Sequence, residues 1–233
     1  TGIIVLSLYL FNPVILLNSS VWGQTDSFLT MIIVFMLYFL QTGRLKTSYA
    51  LFILSVLTKP QAIFFTPILL FDLLKRKTIK HFINMILIGI ITVIVVFIPF
   101  SFSENSIWLF YIKRFNIPQV NSLFSISTSV ETTGEAAFQS LYASLNASNL
   151  IALLGGNFIS DTNILFVFNY RTWGFILVIS LSIFTCYTFL KLKKYNTFYI
   201  SMFYMMGIFT TCIWMHERYM YPVLALLLMS YIY

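Results

Sequence analysis

Residues 82–102 hold no charged side chain. About 20 apolar residues in a helix are what a hydrocarbon layer roughly 30 Å thick requires, so this stretch alone restricts where the chain can fold. The remainder follows the same pattern. Of 233 residues, 59% are hydrophobic and 9% charged, and the mean hydropathy is +0.89, whereas a water-soluble domain carries about a quarter charged residues. A soluble core of this size could not bury so much apolar side chain. The expected fold is all-α, a polytopic transmembrane helix bundle.

Further apolar runs lie near 1–17, 27–41, 48–58, 62–74, 172–190, 196–214 and 221–233. Those at 27–41, 48–58 and 62–74 are short for full spans; they are expected to tilt, to continue into polar turns or to be partly re-entrant within protein. One membrane-embedded domain over residues 1–233 accounts for all of them. The first and last runs are cut by the chain ends, so an internal piece of a longer protein is expected. Cys186 and Cys212 both lie in apolar runs, which argues against a disulfide framework or a thiolate metal site.

The net charge of +7 is a topology signal. Arg44 and Lys46 occupy one short connection, Lys75, Arg76, Lys77 and Lys80 another, and Lys191, Lys193 and Lys194 a third. Counting crossings puts all three on one side, which basic loops mark as cytoplasmic. Asp72 is the single acid there, against nine of the fourteen basic residues. The charge thus faces lipid headgroups at most, and nucleic acid is not an expected partner. The opposite face receives the 18–28 turn, residues 58–61, a long outer loop over 103–171, and residues 216–219. A channel or pump more often places its ionisable groups inside the spans; here they gather at one rim.

Within the long outer loop, residues 106–118 mix Trp108, Phe110, Tyr111 and Phe115 with Lys113 and Arg114, a composition suited to an interfacial helix. Residues 141–156 are expected to form another helix, ended by Gly155 and Gly156. So much ordered-looking sequence at a membrane face fits a lid or platform over a site.

Three polar turns carry candidate chemistry. Thr25, Asp26 and Ser27 are all good N-cap residues for the run that follows, and Gln24 and Asp26 could equally hydrogen-bond the hydroxyls of a sugar-like ligand. Pro60 fits the first turn of a helix and Lys59 a snorkelling flank, yet a lysine on the outer face runs against the charge bias, and Gln61 sits close by. His216-Glu217-Arg218-Tyr219 could belong to an aromatic girdle with Trp214 and Tyr221; His and Arg together also suit a phosphate. No HExxH, GxSxG or Walker loop is present, so zinc, serine-hydrolase and ATPase chemistry are unsupported. Asn18-Ser-Ser20 and Asn146-Ala-Ser148 match glycosylation sequons and are assigned no function.

In order, NPVILLNSSVWGQTDSF (12–28), LTKPQAIFFTPILL (57–70) and WMHERYMYPVL (214–224), with LNASNLIALLGGN (145–157) between the last two, resemble a known family. It is that of the membrane-embedded GT-C fold glycosyltransferases that use polyprenyl- or dolichyl-phosphate sugars, above all the bacterial relatives of the GPI mannosyltransferases. The glucosyltransferases of the N-glycan precursor carry comparable turns. The resemblance covers most of residues 8–225. It implies a GT-C bundle with interfacial helices in the outer loop. It also implies a hexosyltransferase, mannosyl- or glucosyltransferase-like, that moves a hexose with inversion from a polyprenyl-phosphate donor to a lipid-linked or surface glycan acceptor.

Carried over position by position, Lys59, His216 and Arg218 would hold the donor phosphate. Gln24, Asp26, Gln61 and Glu217 would line the sugar or acceptor pocket, Glu217 mainly by orienting its neighbours. The family's catalytic carboxylate usually belongs to an earlier outer loop, so the general base is expected upstream of Thr1. No metal ligand set is implied, and a role for a divalent metal stays open; the donor sugar-lipid is the one small-molecule partner, alongside membrane lipid and the acceptor. The expected location is the bacterial plasma membrane with the site facing outward, or the ER membrane with a lumenal site. A lipid-linked glycan polymerase or ligase is the alternative transferase. A flippase or transporter would call for polar spans or internal repeats, and the sequence has neither.

Overall fold

The computed structural model describes residues 2–17, 20, 25–100 and 142–232, and these are mostly helical. The apolar runs become helices, and the breaks between them have local causes. Run 1–17 divides into α1 (Gly2–Leu10) and α2 (Pro13–Leu16), because Asn12 takes an extended conformation before Pro13 and its side chain accepts from the Val14 N–H. Run 27–41 is α3 (Asp26–Gln41). Its buried positions Leu29, Ile33, Met36, Leu37 and Leu40 recur at helical spacing along one stripe. Gly43, at φ +79°, supplies the left-handed turn that ends it.

α4 (Leu45–Thr58) returns antiparallel to α3 and packs along it. The buried Ser48 hydroxyl donates to the Met36 carbonyl at 2.9 Å, so a polar side chain pins the two helices together. At the far end, Lys59 is forced extended (φ −144°, ψ 124°) by the proline that follows. Pro60 opens a 3₁₀ turn, Pro60–Phe65, which leads into α5 (Thr66–Arg76). Run 62–74 is therefore no single helix: Pro67 opens α5 and a tighter turn precedes it.

Among the described residues, α6 (Ile79–Phe97) and α7 (Tyr170–Lys191) are the two helices long and apolar enough to cross a membrane. At 1.5 Å per residue they extend about 28 and 33 Å. Only 6% of the α6 window and 17% of the α7 window is buried; Ile86, Ile90 and Ile94 on α6 and Ile179 and Ile183 on α7 stand exposed. Side chains this apolar on an outer surface suit lipid better than water. α8 (Thr197–Thr211) is capped by Asn196, which accepts from the Phe198 and Tyr199 N–H groups, and α9 (Tyr221–Ile232) follows a short 3₁₀ turn, Glu217–Met220. The core forms where α3, α4, α5, α8 and α9 meet, around Ile33, Phe65, Tyr204, Phe209 and Leu226.

The three basic connections lie together at one end. Gln41 donates to the Tyr195 carbonyl and accepts from the Thr197 N–H. Lys75 reaches the carbonyls of Phe189 and Leu192 and stacks on the Tyr195 ring.

Of the long outer loop, residues 103–141 lie outside the described residues, and with them the expected helix at 106–118. Residues 142–171 correct the second expectation. The helix expected over 141–156 is confined to Leu150–Gly156, closing in a π-type turn at Gly155 (φ +85°). The preceding backbone instead pairs with distant chain: β1 (Ser144–Leu145) runs parallel to β4 (Met215–His216), and Ser144 also bridges to Asn157. A backbone whose hydrogen bonds go to these neighbours cannot also make helical ones. A hairpin of β2 (Ile164–Leu165) and β3 (Phe168–Asn169) precedes α7. These ladders are two residues long and leave the described residues mostly helical.

Candidate functional site

Three turns far apart in sequence meet at the end opposite the basic connections. Asp26 opens α3, where a carboxylate complements the positive end of the helix. It is 1% exposed, and Lys59, placed by the α4–Pro60 junction, forms an ion pair with its Oδ1. Gln61 Nε2 points to the same oxygen at 3.4 Å. Of the three candidate caps, Thr25 takes the N-cap position and makes no side-chain cap bond, while Asp26 is the first residue of α3 and turns its carboxylate to Lys59 and Gln61.

The third turn brings His216, Glu217, Arg218 and Tyr219. His216 Nδ1 lies 2.8 Å from Glu217 Oε2, close enough for an ion pair when the ring is protonated. Burial pushes the His216 pKa down, Glu217 and Asp26 oppose that and Arg218 adds to it; the imidazole is neutral at neutral pH. Burial likewise raises the Tyr219 phenol, with Arg218 acting against it and Asp26 with it. Asp26 is therefore close enough to act on both residues of the late turn. The guanidinium of Arg218 lies 5.9 Å from the Tyr219 ring centre.

Six of the seven residues singled out in the sequence gather here: Asp26, Lys59, Gln61, His216, Glu217 and Arg218. Gln24 lies outside the described residues. Beneath the cluster a crevice of about 20 Å³ runs between Gln61, Tyr219, Met215, Leu29 and Phe209, room for roughly one water. Among the described residues no three His, Cys, Asp or Glu side chains converge as a metal site.

Residues that the sequence left unassigned hold the late turn in place. Asp161, 1% exposed, accepts from Arg171 Nε and Nη2 at 2.9 and 3.0 Å and from Trp214 Nε1 at 2.9 Å. Trp214 adopts φ +59°, rare for a bulky residue, and its N–H donates to the Ala143 carbonyl. Buried Asn149 donates to the carbonyls of Phe209 and Cys212, closing the C-terminal end of α8. Together with β1–β4 these contacts fix the backbone from which His216 projects. Trp214, a candidate girdle residue in the sequence, is thus tied to Ala143 and Asp161. No sequence signal marked Asp161, whose partners lie 10 and 53 residues away.

Six described site residues and a scaffold of long-range hydrogen bonds make one polar centre at one end of the helices. Compared with family models, with curated proteins and with solved structures, the chain matches none.

Proposed function

We propose that the chain belongs to an integral-membrane glycosyltransferase, a polytopic bundle of the GT-C type. It transfers a hexose from a polyprenyl-phosphate donor to a lipid-linked or surface glycan acceptor on the extracytoplasmic face, with inversion. The observation that carries this reading is the convergence of Asp26, Lys59, Gln61 and the 216–219 turn opposite the basic connections. The four segments resembling that family supply the choice of chemistry.

In an inverting displacement the acceptor oxygen attacks the anomeric carbon while the lipid phosphate departs. Negative charge builds on the leaving phosphate, so fixed donors and cations aimed at it lower the barrier. Lys59 has three N–H donors, one of them engaged by Asp26; the others, with Arg218 and neutral His216, address the phosphate. Asp26 then sets the position of Lys59. With Asp26 engaged in holding Lys59, we assign the acceptor proton to another carboxylate of the full-length protein.

Membranes carrying the full-length protein test the proposal. With labelled hexose on polyprenyl monophosphate and on polyprenyl diphosphate as competing donors, transfer from the monophosphate is expected. Transfer confined to the diphosphate would favour a polymerase or ligase. Movement of the lipid-linked sugar across sealed vesicles with no chemical transfer would favour a flippase.

A further inference from the structure

The end of the bundle away from the site holds the larger opening. Between the α3–α4 turn and the first turns of α6 lies a cleft of about 340 Å³. That is at the lower edge of the range of small-ligand pockets, roughly 300–1,000 Å³. Its lining is suited to one kind of ligand. Arg44 and Lys46 contribute permanent positive charge, His81 and Asn84 contribute ring and amide donors, and among the described residues no acid lines it. The acid at this end, Asp72, is engaged by Arg76 at 2.6 Å and by the Tyr195 hydroxyl at 3.3 Å.

Two further features bear on the cleft. α4 begins at Leu45, inside the lining, and Arg44 at its N-cap makes no side-chain cap bond. The first-turn N–H groups have no partners within the helix and carry the positive end of its dipole. Tyr49, also in the lining, is 1% exposed, and its hydroxyl has no hydrogen-bond partner among the described residues. A buried hydroxyl without a partner costs free energy unless something fills the role.

We propose that this cleft binds a phosphate-bearing anion, held by Arg44, Lys46 and His81 over the start of α4. Arg44 offers planar paired donors to phosphate oxygens and Lys46 a mobile charge. The shared chemistry is a phosphate monoester, carried either by an anionic lipid headgroup or by a soluble phosphate.

The test uses the full-length protein in neutral detergent, titrated with short-chain phosphatidic acid, with short-chain phosphatidylcholine and with inorganic phosphate, while thermal unfolding is followed. A saturable rise in Tm with phosphatidic acid and none with phosphatidylcholine is expected. Arg44→Gln with Lys46→Gln should weaken that binding at least tenfold. Lys193→Gln with Lys194→Gln, on the same face but outside the cleft, should leave it unchanged. Tyr49→Phe keeps the ring and should weaken binding severalfold, which decides the matter if the double variant does not fold. Competition by inorganic phosphate would identify a soluble phosphate as sufficient, and saturable binding without competition would identify the lipid headgroup. No saturable response to either, equal loss in the Lys193/Lys194 variant, or unchanged affinity in Tyr49→Phe would overturn the proposal.

Discussion

At both ends of the bundle a buried aspartate is paired with a basic side chain, Asp72 with Arg76 at one and Asp26 with Lys59 at the other, but the two pairs are built differently. Asp72 and Arg76 are four residues apart on α5, and the Tyr195 hydroxyl and the charge of Lys75 support them. Asp26 and Lys59 come from opposite ends of the α3–α4 hairpin, 33 residues apart, and Gln61 Nε2 lies 3.4 Å from the same oxygen. A local pair survives a small loosening of the tertiary structure; a long-range pair reports on it. The first kind anchors a helix end, and the second suits a site, where a charge must be held in place while part of its bonding capacity is kept for a ligand.

The contrast is sharpest in what each pair loses when its cation is removed. Lys59→Ala removes the cation paired with a carboxylate that is 1% exposed, and breaking a buried pair from one side costs about 3–5 kcal/mol. Arg76→Ala leaves Asp72 with Tyr195 and Lys75 nearby, so a smaller loss of about 1–3 kcal/mol is expected. Thermal unfolding of both variants in detergent measures the difference. Equal losses would erase the distinction between the two ends.

Asp161→Asn should come next, at about 1–2 kcal/mol, because the Arg171 side chain it releases is 45% exposed and water compensates part of the loss. Its effect should be local: hydrogen exchange should rise over 142–149 and 213–217 and stay unchanged around Gln41 and Tyr195. Uniform exchange across both ends would remove the platform from the account. At the basic end, Gly43→Ala meets open space, so only its φ of +79° matters, and about 1 kcal/mol is expected.

The smallest effect is that of pH. The His216 pKa is lowered on folding, chiefly by burial, so the unfolded chain takes up a proton first as pH falls. Stability is then unaffected above about 6.5 and declines as pH drops below that, levelling off once the folded state also protonates. His216→Gln should flatten this part of the pH profile; an unchanged profile would mean that the ring titrates freely.

Much of this was legible in the sequence because the apolar runs are long. Runs 27–41 and 172–190 match Asp26–Gln41 and Tyr170–Lys191 closely. Run 196–214 was read too long, since α8 stops at Thr211 while the apolar residues continue through Trp214; hydropathy alone cannot see a turn made of apolar side chains. The polar turns were legible for the opposite reason, being the exceptions in such a chain. The scaffold behind His216 was not legible. Asp161 reaches Trp214 across 53 residues, and β1 and β4 pair over two residues each, contacts that leave no periodic trace.

The account stands or falls on whether the long-range cluster handles a lipid phosphate. Membranes containing the full-length protein, supplied with polyprenyl-monophosphate-linked labelled hexose, should transfer label, and Lys59→Ala combined with Arg218→Ala should reduce transfer about a hundredfold or more, as loss of transition-state charge stabilisation does. Transfer at the wild-type rate in that double variant would contradict it.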